Sequence, residues 1–242
     1  MVANFATGGF LFWRGRRGFA CSLMLLAAVA LADVEAGDRA YDSGAFPQAI
    51  AAYRESAERD PTDVEARYKL ARAITILADT LDEPEARAGY VEAARHARAA
   101  IAIDPEDPEA HFELARALGR FGQLTGVLRA LDLAGEVRRE LELALELDPD
   151  HSGALHALAL WHFNVPWIAG GRQGRIRPLF DAAIAAGPTI KGHLDYGATL
   201  IELDDLEGAR RQLEQALSLP VVTYLDRQNR AEAQRLLDEL GP

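Results

Sequence analysis

An Asp-Pro junction recurs at a fixed distance along this chain: Asp60-Pro61, Asp104-Pro105 and Asp148-Pro149 lie 44 residues apart. An apolar helical run closes before each junction and another opens after it, as in ALELDPDHSGALHALA from Ala144 to Ala159. The register extends beyond the prolines, because LARA stands at Leu70 to Ala73 and again at Leu114 to Ala117. Self-similarity at such a period marks a stacked-repeat architecture, in which each unit buries its apolar face against its neighbours instead of in one closed core. The alternating Val-, Ile- and Thr-rich runs of strands are absent from the sequence. Its apolar fraction is 49% with only 7% aromatics, which leaves mainly the strong helix formers alanine and leucine. The chain is therefore expected to be all-α.

The first 32 residues have a different character. RGRR leads into the apolar run GFACSLMLLAAVALA, which ends in Ala30-Leu31-Ala32 just before acidic DVEAGD. This is the layout of a secretory leader with cleavage after Ala32, and the run is short for spanning a bilayer; the alternative is a retained N-terminal anchor helix. Arg16-Arg17 followed by Phe19 is similar to a twin-arginine export signal. The expected organisation is a leader over residues 1–32 and a helical repeat domain over 33–242. The domain would be exported to a bacterial periplasm, with no stable membrane insertion once the leader is removed. Cys21, the only cysteine, falls in the leader, so the rest of the chain offers no disulfide, thiolate metal site or cysteine nucleophile. Loss of Arg14, Arg16 and Arg17 leaves 23 basic against 37 acidic residues, a net of −14, which argues against a nucleic-acid partner.

Aligned on the prolines, the units resemble the tetratricopeptide repeat (TPR), a helical hairpin of about 34 residues. Gly37, Gly44, Phe46, Ala49, Tyr53 and Pro61 carry the resemblance in the first unit; Gly197, Leu206, Ala209, Leu213 and Ala216 carry it in the fifth, with Pro220 one residue early. Between them stand Leu70, Ala71, Ala93 and Ala100, then Leu114, Ala115, Val137 and Ala144, then Leu158, Ala159, Phe180 and Ala183. Small residues let paired helices approach and bulky ones fill the space above them. Thr62 with Glu65 reads as a capping box, Asp107-Pro108 as an N-cap followed by proline, and Asp82 to Pro84 in the same way. The segment YLDRQNRAEAQRLLDELG reads as a polar-faced helix closing the stack. The expectation is a right-handed solenoid of about five TPR-like hairpins plus a C-terminal capping helix. Units 2 and 3 are about ten residues longer than the motif, and the surplus falls at the turn between their helices. Shared evenly, it lengthens each helix by roughly five residues, about 7 Å, and raises one edge of the solenoid. These elongated hairpins, with LDPDHxGALHxLxxWHF and the following VPW, are similar to bacterial proteins of the regulator-of-microtubule-dynamics group and to the helical TPR partner of TRAP-type solute transporters.

The TPR resemblance implies that the first helix of each hairpin lines a concave face. Its register then points Tyr41, Tyr68, Arg72, Phe112, Arg116, Arg120, His156, Phe163 and Asn164 inward. Such a groove is aromatic with a basic stripe. In a chain this acidic, three arginines on one cavity make a receiver for a carboxylate or phosphate; alternatively, Arg116 pairs with Glu113 or Glu109 and is an ordinary solvated residue. Glu65 and Glu109 depart from the pattern of the family's peptide-carboxylate clamp. A second unusual passage is LWHFNVPWIAGGRQGR from Leu160 to Arg175, where Trp161 and Trp167 are candidate docking residues. A tryptophan beside such a glycine-rich turn either anchors a partner or fills the space between hairpins of unequal length.

No catalytic, cofactor or metal site is expected. His151, His156 and His162 are five and six residues apart, the wrong spacing for two ligands on one helix face. The Gly-Gly-Arg-Gln-Gly turn lacks both the spacing and the preceding strand of a phosphate loop. The expected function is therefore that of a non-enzymatic exported protein holding a partner protein or peptide in its groove. Two alternatives are a periplasmic component that binds a small apolar solute with an anionic end for a transporter, and an accessory domain to a hydrolase or transferase.

Overall fold

The computed structural model describes residues 34–241; the expected leader lies outside the described residues. These fold into eleven α-helices and one short 3-10 turn, with no strand among them. Helix α1 covers 34–43. It is followed by α2 (Phe46–Arg59), α3 (Val64–Ala78), α4 (Glu83–Ile103), α5 (Pro108–Gln123), α6 (Val127–Leu147), α7 (Ser152–Asn164), α8 (Gln173–Ala186), α9 (Ile190–Glu202), α10 (Leu206–Ser218) and α11 (Tyr224–Glu239). The 3-10 turn Trp167–Ala169 lies between α7 and α8. Helices pair as hairpins, α3 with α4, α5 with α6, α7 with α8 and α9 with α10, and each hairpin packs on the next.

The repeated Asp-Pro phrase is the hinge between hairpins, and its chemistry is local. Asp60, Asp104 and Asp148 end α2, α4 and α6 in extended conformation, each N–H donating to the carbonyl four residues back at 2.9 Å. Each Oδ1 then accepts a backbone N–H two residues on, from Thr62, Glu106 and Asp150. The following N-cap closes the turn: Asp63 and Asp107 accept from Ala66 and Ala110 at 2.8 Å, and His151 does the same through Nδ1 to Ala154 at 3.1 Å. The N-cap of α3 is thus Asp63 and not Thr62, whose hydroxyl is taken by Asp60. Asp63 also accepts from the buried hydroxyl of Ser56. Asp63→Ala should accordingly cost about 1–2 kcal/mol in urea denaturation, whereas Asp82→Ala, whose side chain makes no capping bond, should cost a few tenths at most.

Small residues set the helix spacing. A Cβ on Gly37 would fall 2.4 Å from the ring of Tyr53, and one on Gly197 would fall 2.9 Å from Leu213, the same offset of sixteen residues in the first and fifth hairpins. Alanines at these interfaces are buried completely, among them Ala49, Ala71, Ala93, Ala144 and Ala159. One continuous apolar cluster runs through the stack from Val34 to Ala209.

The elongation of units 2 and 3 is real but unevenly shared. Helices α4 and α6 have 21 residues against 14 in α2 and α8, while α3 and α5 have only 15 and 16. The second helix of each long hairpin therefore takes most of the surplus, about 10 Å of extra rise. Its top is packed: Ala78, Ala86, Tyr90 and Phe121 form a separate apolar cluster, the Tyr90 hydroxyl donates to Asp79 at 2.7 Å, and Arg87 donates to the Leu124 carbonyl.

The array curls until its ends meet. Helix α11 packs on α9 and α10, is polar and mostly exposed, and buries only Ala233 fully. Its first residue, Tyr224, reaches the α1–α2 turn, where its ring sits edge-on to Phe46 at 6.1 Å and so close to Gly44 that a Cβ there would lie 2.5 Å away. The capping helix thus covers the last hairpin and also touches the first.

Candidate functional site

Curling leaves a central cavity of about 1370 Å³. It is bounded by α3, α5, α7 and α9, by one side of α6, by the α1–α2 turn and by the start of α11. Its apolar shelf comes from α5, α6 and α7, with Phe112, Leu133, Val137, Ala157, Leu160 and Phe163.

The register read from sequence places seven of its nine groove residues on this wall: Tyr41, Phe112, Arg116, Arg120, His156, Phe163 and Asn164. Tyr68 and Arg72 belong to the adjoining network and do not line the cavity. Asn164 turns its amide back onto the Leu160 carbonyl at 2.8 Å. Of the two tryptophans, Trp161 is buried to 6% exposure; its indole N–H donates to the Ala134 carbonyl at 2.8 Å, tying α7 to the tall α6. Trp167 stands outside the cavity and is 83% exposed.

The arginines arrive already paired. Arg72 donates through Nε to Glu113 and through Nη2 to Glu109, both at 2.7 Å. Burial disfavours its charge, but Glu113 and Glu109 outweigh that and push its pKa up. Glu113 has no exposed surface and also meets Arg116 at 3.3 Å. Arg116 lies over the Phe112 ring at 4.5 Å, and Arg120 reaches Asp79 at 3.4 Å. Across the cavity, His156 and Lys191 converge on Asp195 at 2.9 and 2.6 Å. Burial would raise the Asp195 carboxyl, but the His156 hydrogen bond and Lys191 hold it below the usual carboxylate range. Burial also raises the Tyr41 hydroxyl, only partly offset by Arg116 and Arg72. An incoming carboxylate would have to displace an internal one from each arginine, so the polar lining is compensated, not receptive to an anion.

The wall continues one hairpin beyond the residues expected from sequence. Lys191, Asp195, Ala198 and Glu202 line the cavity from α9, and their helical spacing is what the inward register gives when carried into the fifth unit. The α6 shelf and the α11 residues Tyr224 and Asn229 follow from curvature and carry no comparable signal.

The fold has close counterparts. The TPR protein TTC0263 of Thermus thermophilus superposes with a TM-score of 0.70 at 17% identity, over 85% of this chain and 99% of that one. PilF of Pseudomonas aeruginosa gives 0.51 at 18% identity, over 90% and 94%. In sequence, regulator of microtubule dynamics protein 1 of Bos taurus is 26% identical over 227 residues, covering 84% of this chain and 70% of the bovine protein. The family model for regulator of microtubule dynamics proteins 1-3 matches residues 33–168, which takes in the four hairpin starts, both tall units and the VPW turn. On a TPR fold, the chain belongs to the regulator of microtubule dynamics protein 1-3 family.

Proposed function

We propose that the protein is a non-enzymatic binding module that holds a largely apolar segment of a partner protein in its central cavity. The observation that carries this reading is the cavity itself. At about 1370 Å³ it exceeds the roughly 300–1,000 Å³ of ordinary small-molecule sites. It pairs an apolar shelf on α5 to α7 with charges that satisfy one another. An extended chain gains from burying apolar side chains on that shelf and needs no free charge from the wall. The self-pairing of Arg72, Arg116 and Arg120 favours such a segment over a solute with an anionic end.

Ala157 offers the test, because it lines the cavity from α7 and is only partly buried. Peptides selected from a random library on the wild-type protein should share apolar side chains and bind Ala157→Trp at least tenfold more weakly, with thermal stability unchanged. Selected peptides that bind the variant equally well, or that show no apolar preference, would contradict the reading.

A further inference from the structure

Between Asp150 and Asp181 the chain has no carboxylate for thirty residues, although it carries 37 acidic residues in 242. The same stretch holds Arg172, Arg175 and Arg177, so one part of an acidic molecule is locally basic. At its centre is the 3-10 turn Trp167–Ala169, whose shape is set by backbone alone. Ala169 and Gly171 donate to the Pro166 carbonyl and Gly170 to that of Trp167, at 2.9, 3.2 and 3.1 Å. Gly170 takes φ +103°, and Gly171 lies so close to the Val165 carbonyl that a Cβ there would be 1.7 Å away. None of this uses the side chains of Trp167 and Ile168, which are 83% and 74% exposed. The fold holds two large apolar groups out in water, against the ordinary cost of doing so.

Two arginines beside them are equally unengaged. Arg172 and Arg175 are exposed, and their guanidinium groups make no hydrogen bond, ion pair or ring contact among the described residues, whereas the side chains of the other described arginines each make at least one. Arg177 is held by Asp205, and Arg138, which reaches the turn from α6, by Glu142. The positive field is felt inside the wall: His162 is held below its ordinary pKa by burial and by Arg175, Arg138 and Arg172.

We propose that this turn is a docking tip for an anionic lipid surface, with Trp167 and Ile168 entering the headgroup layer and Arg172 and Arg175 meeting lipid phosphates. Tryptophan is at home where one side is apolar and the other wet, and arginine there adds attraction that salt screens. The footprint decides between a bilayer and a protein. A stable protein interface takes about 800 Å² from each partner, more than two side chains and two arginines supply, while a bilayer needs neither that area nor a pocket shaped to receive them. The chain as a whole is acidic and is repelled by the same membrane, which favours approach by this locally basic, carboxylate-free stretch.

The full chain with Cys21→Ser and Ile168→Cys, labelled at residue 168 with an environment-sensitive fluorophore, reports on this tip whatever else tethers the protein. With phosphatidylcholine vesicles containing about 30% phosphatidylserine, the emission should shift to the blue, and high salt should reverse it. Pure phosphatidylcholine should give little shift. Losing both arginines (Arg172→Gln, Arg175→Gln) should raise the lipid needed for half the shift by on the order of tenfold or more, at roughly fivefold per arginine. Trp167→Ala should do the same with little effect on thermal stability, since its side chain is 83% exposed. A probe that stays in water on anionic vesicles, that responds equally to neutral ones, or that ignores both substitutions overturns the proposal. So does a probe shielded by an added protein and never by lipid. Because the tip lies outside the cavity, any of these outcomes leaves the segment-binding reading to its own test.

Discussion

Arg72→Met is expected to destabilise the protein by about 3–5 kcal/mol, the cost of stripping a buried charge of its partner. The argument rests on Glu113, which has no exposed surface and takes its shortest ion pair, 2.7 Å, from Arg72. Arg116 stands further off at 3.3 Å and is also committed to the face of Phe112. Without Arg72, the Glu113 carboxylate keeps its desolvation cost and loses most of what offsets it. Glu109 loses the same partner but is partly exposed, so water can replace the arginine there. The double variant Arg72→Met, Glu113→Leu should therefore recover most of the loss, because neither charge then has to be buried. Urea denaturation of the two single variants and the double closes the cycle. A cost for Arg72→Met below about 1 kcal/mol would instead place the pair among surface ion pairs.

That network shows where the sequence could and could not be read. The hairpin boundaries were legible because their causes are local: an aspartate that ends one helix and takes the next backbone N–H needs no distant neighbour. The inward register came from the resemblance to the TPR and not from local chemistry, and Phe112, Arg116, His156 and Phe163 do line one wall. Glu113 and Glu109 were both visible as partners for Arg116. The structure gives Glu113 to two arginines and Glu109 to Arg72, a choice made across the interface between α3 and α5. The even division of the long hairpins overlooked a local mark, since Asp82 and Pro84 already place the start of α4 and so make it the longer helix. Contact between Tyr224 and Phe46 was not legible at all. It depends on the summed rotation of every hairpin, and nearest-neighbour packing in a repeat array leaves that sum unmarked in any single unit.

Phe180→Ala tests how far that nearest-neighbour logic runs. Phe180 is fully buried in α8, stacked on Tyr196 of α9 at 4.6 Å and 7°, and tilted against His156 of α7 at 5.6 Å. One ring thus joins the fourth hairpin to the fifth behind the His156–Asp195 side of the cavity. Truncating a buried phenylalanine costs about 3–5 kcal/mol. In a globular core that loss would be shared by the whole molecule; in a solenoid it falls first on the units whose interface is damaged. Helices α9 to α11 should therefore exchange amide hydrogens faster than α3 to α6, and the denaturation curve should broaden as the C-terminal hairpin loosens ahead of the tall pair. Among the described residues, that end is tied back to the first hairpin by the edge contact of Tyr224 with Phe46 and Gly44, which is too small to hold the ring shut once α9 has lost its packing. A uniform rise in exchange across all hairpins would show the opposite, that closure of the ring has made the repeat array fold as a single cooperative unit.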